Sequence, residues 1–427
     1  MDMIGSRNIA LQHNPLIKKI SVNPLIKTLF FGFLLLATIW GSNLPGPVLF
    51  GFSFFPIRII VILWIPLFFL SRFKKKIHFD KVDISVIVFF AFGLLASIWS
   101  PDNTNFLTDS SVYITQLLCF FMIKSLIRSK EDIRCFLYAI LVNFVIICFA
   151  SIYESFTGNY ISTKIYDYYL IKKNFFGLFM PSGGLGNINN LATALLCIMP
   201  FAMFATEFLK PGFVLRIGIF SLGSFVILLT GSRTGFICII LEAFLYLLYK
   251  TLTKRKEFKI FFALSIPIVV FLVFVFSKNL AEYMFSDTSI QDELRWGIWN
   301  DTFNTCKQYL FMGCGIGSSN EANILVNGFA ATNPHNHFLE MLCEFGIFGL
   351  IAHLYMFLSM IPKRGQWLVF TNPVNLIFVI AFIAVSICPS SMIGIYIIWA
   401  LFAFCISSKT TINHYLIAGD VKCLVLK

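Results

Sequence analysis

The sequence predicts an all-α, polytopic membrane protein with about twelve transmembrane helices, and three observations carry that reading. Of 427 residues, 58% are hydrophobic and only 13% are charged, about half the charged fraction of an ordinary globular domain. The apolar residues come in continuous runs of about 18–22, the length of a membrane-spanning helix, and not as the short alternating segments of a β-barrel. Lys and Arg collect in alternate connectors between those runs. More than half of a folded surface is apolar even at ordinary composition, so a soluble fold could not cover this excess. A soluble enzyme, a disordered chain and a nucleic-acid-binding domain are all disfavoured. The formal charge of +12 reads as positive-inside bias and not as a nucleic-acid partner.

The elements follow in order. Residues 1–24 are polar and mixed, with Lys18 and Lys19, and no small-residue cleavage site follows the first apolar run, so they are not read as a cleaved signal. Arg7, Lys18, Lys19 and Lys27 precede spans at 28–44 and 50–70, which return to Arg72, Lys74, Lys75, Lys76 and Lys81. Spans 83–99 and 111–127 return to Lys124, Arg128, Lys130 and Arg134. Span 135–154 leads out and 188–206 leads back to Lys210 and Arg216. Spans 213–231 and 235–250 return to Lys250, Lys254, Arg255, Lys256 and Lys259. Span 259–277 leads out and 338–361 returns to Lys363 and Arg364. Spans 368–388 and 390–407 end at Lys409, Lys422 and Lys427. With the N-terminus inside, 25 of the 33 basic residues are inside and seven outside, with Arg58 in a span. Both termini are then cytoplasmic.

The chain reads as one membrane domain, 1–427, with two long outside loops at 155–187 and 278–337. Loops of that length are usually functional or disordered. The second carries Trp296, Trp299 and other apolar residues, so it is expected to be ordered and partly helical. No internal repeat is visible, which weakens a transporter reading. The eleven cysteines lie mostly in apolar runs without metal-ligand spacing. Cys306 and Cys314 share an outside loop and could pair there.

A charged group in or at the lip of a membrane is a functional candidate. Arg233 lies in Thr230-Gly231-Ser232-Arg233-Thr234-Gly235, where two spans meet with almost no connector. An anionic group would reward a lone outside Arg, because the guanidinium fork binds phosphate in two places; the alternative is an Arg snorkelling to headgroups. Arg295, in Asp292-Glu293-Leu294-Arg295-Trp296-Gly297-Ile298-Trp299, sits on an expected amphipathic helix, with an Asp292 ion pair as the alternative. Gly313, Gly315 and Gly317 could present backbone N–H groups to phosphate, although the strand–turn–helix setting of a nucleotide loop is missing. Arg58, in the second span, either adds a third positive charge or snorkels outward.

His335 lies in Asn333-Pro334-His335-Asn336-His337. Asn333 suits an N-cap and Pro334 the first helical position, which would put His335 in the first turn of the tenth span, at the outer lip. The positive end of a helix disfavours imidazolium, and a neutral imidazole can take a proton from a hydroxyl. On a straight helix His335, Leu339, Leu342, Gly346 and Gly349 share one face, with His337, Glu340 and Glu344 roughly opposite, and Glu344 is about 13 Å along the axis from His335. Glu344 should pair with Arg or hydrogen bond internally, and Gly346 and Gly349 should serve close helix packing. A His335–His337 metal site is disfavoured because the two rings would point about 200° apart on a helix. Asn187, Asn189 and Asn190 follow Gly183-Gly184-Leu185-Gly186; they either contact a sugar diphosphate or cap the sixth span.

Three stretches in order resemble the bacterial O-antigen ligase and O-antigen polymerase superfamily. They are 230–235; Arg295 with Trp299 and Gly313-x-Gly315-x-Gly317; and His335-Asn336, nine residues, then Gly346-x-x-Gly349. Leu350 stands where the family often has a small residue or Tyr, which leaves the subfamily open. The strong motifs cover 183–350. The resemblance implies a metal-independent, inverting glycosyltransferase without cofactor. It would move a glycan from undecaprenyl diphosphate to an acceptor at the outer face of the bacterial cytoplasmic membrane. The acceptor is lipid A–core for a ligase and a carrier-linked repeat for a polymerase; the His-Asn spacing leans to ligase. Arg233 and Arg295, with Arg58 as a third candidate, would bind the diphosphate, and His335 would be the base. Asn336, His337, Glu340, Glu344, Asn187 and Asn190 are candidates for support or substrate contact. A polysaccharide flippase is the reading from another class. The candidates cluster at the outer lip and not at the bilayer midplane, which favours an enzyme.

Overall fold

The structure, a computed structural model, describes residues 23–43, 46–49, 52–72, 79–101, 106–162, 173–174, 176–252, 288–328, 334–363, 366, 369, 371–387 and 395–417. The span expected at 259–277 lies outside them. The described residues form an all-α bundle with one two-residue hairpin, β1 (Val48–Leu49) and β2 (Phe52–Ser53). The helices are α1 (Pro24–Trp40), α2 (Pro56–Arg72), α3 (Lys81–Ala96), α4 (Phe106–Leu126), α5 (Lys130–Thr157), α6 (Ile188–Ala205), α7 (Gly212–Leu229) and α8 (Arg233–Leu252). They continue with α9 (Thr288–Gln308), α10 (Ser319–Asn327), α11 (His337–Met360), α12 (Asn372–Val385) and α13 (Tyr396–Ile417). Every other expected span coincides with a helix. The largest shift is at α13, which continues to Ile417. The long second loop is partly helical, as α9 and α10.

Among the described residues, five helices are long and apolar enough to cross a membrane by length and composition: α3 and α6 with their short C-terminal extensions, α5, α7 and α11, the last counted across its break. Local signals fix several boundaries. Asn23 accepts the Leu25 N–H at 2.8 Å ahead of Pro24 and opens α1. Asp80 and Asp83 form a reciprocal capping box at α3. Gly158, at φ 71°, closes α5.

The core is centred on α6, buried continuously from Leu191 to Ala205 and packed by α5, α7, α8, α12 and α13. On the rim, Phe33, Leu63, Leu70, Phe149 and Phe244 are exposed. Such a belt would be a liability in water and is a solvated surface in lipid.

The two ends of the bundle differ. At one end basic residues are paired with acids. Lys124 reaches Asp80 and Asp83, each at 2.6 Å, and Lys27 reaches Glu131 and Asp132, each at 3.0 Å. Lys250 and the Tyr246 hydroxyl both bond to Glu207 there. An apolar cavity of about 450 Å³ opens at this end between α2, α3 and α4, with Lys124 and Asp83 in its lining. The other end carries the hairpin, the long loops and the sequence motifs.

Helix α11 departs from the expected straight span. Gly346 has φ 69° and ψ −175° and interrupts it. In a continuous helix His337 and His353 would stand about 24 Å apart along the axis, yet their Nε2 atoms are 2.8 Å apart. Phe338 and Phe357 are also neighbours, with ring centroids 6.0 Å apart. α11 is therefore a V, with arms 337–345 and 347–360 and its apex at Gly346. Gly346 serves this break and not helix–helix packing. A Cβ there would lie 2.5 Å from the Met312 carbonyl carbon, so the apex accepts the chain only because the residue is Gly.

Candidate functional site

The first arm of α11 lies between the bundle and the α9–α10 loop domain. Its Phe345 stacks on Phe89 of α3 at 4.3 Å between centroids. Leu339, Leu342 and Cys343 face the cluster of Cys306, Cys314 and Ala322. No disulfide joins the cysteines: Cys306, Cys314 and Cys343 are all free and buried. The neighbour of Cys314 is not only Cys306 but Cys343, at 3.8 Å between sulfurs.

In the glycine-rich stretch the N–H groups of 314–317 are taken up by the protein itself. Cys314 N–H bonds to the Cys343 carbonyl at 2.7 Å and Gly315 N–H to the Glu344 carbonyl at 3.2 Å. Ile316 N–H donates to Ser97 Oγ and Gly317 N–H to Glu344 Oε2, both at 3.2 Å. The reason is the V: breaking α11 at Gly346 frees carbonyls at 343–344, and the loop supplies their donors. Gly313, Gly315 and Gly317, all at positive φ, let the loop lie against that apex. Glu344 hydrogen bonds internally, receiving the Tyr113 hydroxyl and Ser319 Oγ, each at 3.0 Å, and no Arg.

His335 does not lie in the first turn of α11. The helix starts at His337, and the N-cap is Asn336, whose Oδ1 accepts the Leu339 N–H at 3.2 Å. Asn333 lies outside the described residues. His335 precedes the cap in left-handed backbone, φ 49°, which non-glycine residues adopt rarely and often at functional sites. The shared face expected from a straight helix, and the 13 Å spacing along it, fall with the V. His337 contacts His353, whose ring lies 5.0 Å from that of Phe89, halfway along α3. The first arm begins about 13 Å, nine residues of helix, from its apex. His335 is partly buried. Two bonds bracket it: Trp299 Nε1–H to the Pro334 carbonyl at 2.7 Å, and His337 N–H to the Ser386 carbonyl at 3.0 Å.

Arg295 is half-buried on α9, one turn before Trp299 and on the same face. Trp299 brings that face to Pro334, next to His335, and Trp296 packs edge-on against Trp299. The Asp292 side chain, its expected ion-pair partner, lies outside what is described. Arg233 is the first residue of α8, where Gly231, at φ 65°, makes the turn from α7. Ser232 Oγ caps the helix by accepting the Gly235 N–H at 3.2 Å. α8 packs on α12, and Ser386, which closes α12, accepts the bond from His337. Arg233 and His335 thus belong to the ends of packed elements.

Arg58 is held differently. Its guanidinium bonds to the Ser53 carbonyl at 2.8 Å and to Ser111 Oγ at 2.5 Å, and lies over Phe55 at 4.4 Å. It ties the hairpin to α4. Asn187 caps α6, its Oδ1 accepting the Asn189 N–H at 2.8 Å, and Asn190 Oδ1 is buried without a protein partner. His337, Glu340 and Glu344 are buried side chains of the first arm. Among the described residues, no three His, Cys, Asp or Glu are grouped to hold a metal.

Two polar residues escaped the sequence reading. Glu154, fully buried near the end of α5, accepts backbone N–H groups from Ile161, Ser182, Gly183 and Gly184 at 2.6–3.2 Å. It shapes the glycine loop leading to Asn187, and Trp40 Nε1–H bonds to the Gly183 carbonyl at 3.0 Å. His353 is the other. The available signal was the same for both: a lone ionisable residue in an apolar run.

Residues 218–354 match the O-antigen ligase family, and that stretch holds Arg233, Arg295, His335 and the V. Over that stretch, about a third of its length, the chain is O-antigen ligase-like. It is also similar to the teichuronic acid biosynthesis protein TuaE of Bacillus subtilis (strain 168). The two are 22% identical over 396 residues, covering 85% of this chain and 80% of that one. The apolar helices and this match together indicate a membrane protein that is O-antigen ligase-like over residues 218–354.

Proposed function

We propose that this protein is a metal-independent, inverting glycosyltransferase of the bacterial cytoplasmic membrane. It has both termini cytoplasmic, and its catalytic region is 183–350. It moves a glycan from undecaprenyl diphosphate to a lipid A–core acceptor at the outer face. The observation that carries the reading is that the family match contains Arg233, Arg295 and His335 together, while Trp299 ties the Arg295 helix to the chain beside His335.

His335 takes the proton of the acceptor hydroxyl. The hydroxyl oxygen attacks the anomeric carbon as its bond to the diphosphate breaks, so the configuration inverts. Undecaprenyl diphosphate leaves with the negative charge. Arg233 and Arg295 stabilise that charge by forked hydrogen bonds, the partial positive charge at the start of α8 adds to them, and Arg58 supports the site at the hairpin. Asn187 and Asn190 stand at the start of α6 for contacts with the sugar. Asn336, His337, Glu340 and Glu344 act as support for His335.

A second reading, joining of carrier-linked repeats, is favoured by the name of the Bacillus relative, which assigns it to the biosynthesis of teichuronic acid. The test is reconstitution with undecaprenyl-diphosphate glycan and no divalent metal, offering lipid A–core or a second carrier-linked repeat. Transfer to the core identifies a ligase, and growth on the carrier identifies a polymerase. Glycan-lipid crossing the bilayer without transfer would replace both by a flippase. His335→Ala should abolish transfer in a folded protein, and Arg233→Lys should weaken donor use. Near-normal transfer by His335→Ala would remove the base assignment.

A further inference from the structure

His337 and His353 meet where an apolar pair would pack without polar atoms to accommodate. They are 5% and 1% exposed, and rings of Phe89, Phe338, Phe357, Phe382, Trp399 and Phe402 surround them. Their Nε2 atoms are 2.8 Å apart. That separation holds one hydrogen, so one ring donates and the other accepts. Neither Nδ1 has a hydrogen-bond partner. A single bond with two ring nitrogens left over is a poor device for stability alone.

Its effect is geometric. The bond joins residues 16 positions apart in sequence and fixes the start of the first arm of α11 against the middle of the second. Two residues before His337 stands His335. The His337 N–H is bonded to the Ser386 carbonyl, Asn336 caps the arm, and on the far side Trp299 holds the Pro334 carbonyl. His335 is therefore carried on a short bracket anchored at both ends, in a backbone conformation that a free chain would abandon.

We propose that the His337–His353 bond is a positioning device for His335: it closes the V of α11 and sets the placement of the imidazole that faces the acceptor. Both histidines are positioning residues, and the assignment rests on the role of His335 given under Proposed function.

Two substitutions separate positioning from packing. His353→Leu keeps an apolar side chain and removes the bond. His353→Gln places a carboxamide that can bond to His337 again. The first readout needs no catalysis. In full-length protein in nanodiscs, His335→Cys is labelled with a small methanethiosulfonate reagent and the peptide is quantified by mass, the described native cysteines being buried. Adding His353→Leu should change the labelling rate about tenfold or more, and His353→Gln should return it to within about threefold, because misplacement by about 1 Å already costs up to ~100-fold in reaction geometry. Unchanged labelling with His353→Leu overturns the proposal.

The second readout is transfer from undecaprenyl-diphosphate glycan with His335 intact. His353→Leu should lower kcat about tenfold or more at unchanged donor KM, with recovery in His353→Gln. Equal loss in both variants overturns positioning and leaves His353 a packing residue. If the wild-type protein transfers nothing, the functional reading fails, and the labelling rates still decide the bracket.

Discussion

Glu154 offers the most direct test of how the loop end is held. Its two oxygens divide the donors evenly: Oε1 takes the Ile161 and Gly184 N–H groups at 2.9 and 3.2 Å, and Oε2 takes Ser182 and Gly183 at 2.6 and 2.7 Å. Glu154→Gln keeps the shape of the side chain. However its amide is turned, two backbone N–H groups then face an NH2 group in place of an acceptor. Each bond lost to a buried charged acceptor costs about 1.5 kcal/mol at the low end, so two cost about 3 kcal/mol, a factor of ~100 in a local opening equilibrium. The assay is amide hydrogen exchange followed by peptide mass, with 182–186 as the reporter and α6 as the internal control. Exchange of the Ser182, Gly183 and Gly184 amides should rise by about two orders of magnitude, while Leu191–Ala205 stays protected. Unchanged exchange at 182–184 would refute the reasoning that a single carboxylate organises the loop.

Other expectations follow from the same structure. Gly346→Ala adds a Cβ 2.5 Å from the Met312 carbonyl carbon at a φ of 69°, and should destabilise by about 2 kcal/mol or more, read as a lowered Tm in detergent. Trp299→Phe removes the indole N–H bonded to the Pro334 carbonyl, and should cost about 1 kcal/mol, with faster exchange at 335–337. Acid should act at the other end of the bundle. Burial pushes the Asp80 carboxyl up, but the bond from Lys124 and the backbone bonds of Asp83 and Val82 outweigh it and hold the group below its ordinary 3.8. A carboxyl depressed on folding stabilises above its unfolded value and loses that contribution as pH falls through its folded one. Lys124→Met should therefore lower Tm at neutral pH, and the difference from wild type should shrink below about pH 4, the ordinary carboxylate range.

Most of the bundle was legible because membrane helices announce themselves in run length and flanking charge, and those signals are local. Asn187 as a cap and the internal hydrogen bonding of Glu344 were legible for the same reason: each depends on neighbours in sequence or on the cost of a buried acid. The V of α11 was not. Periodicity assumes a continuous helix, and the residues that permit the break, Gly346 and the loop carbonyls of Phe311 and Met312, meet only after folding. Ile347 N–H bonds to the Phe311 carbonyl at 2.8 Å, an exchange of partners that no one-dimensional pattern contains. The same holds for the glycines at 313–317. Their spacing suggested a ligand cradle, whereas the Gly315 and Gly317 N–H groups serve Glu344 of the neighbouring helix. For His335 the expected cap was misplaced: it lies one residue after it, at Asn336, and not two before.

The non-helical segment before α11 has a consequence for what surrounds the site. Residues 334–336 are non-helical backbone between α9 and the end of α12, and lipid tails provide no hydrogen bonds to such a segment. Trp299 and Ser386 meet two of its groups. A stretch of this kind persists only where protein or water, and not hydrocarbon, surrounds it. The remaining polar groups beside His335, next to Trp299 of α9, therefore call for protein or water around them and not for lipid tails.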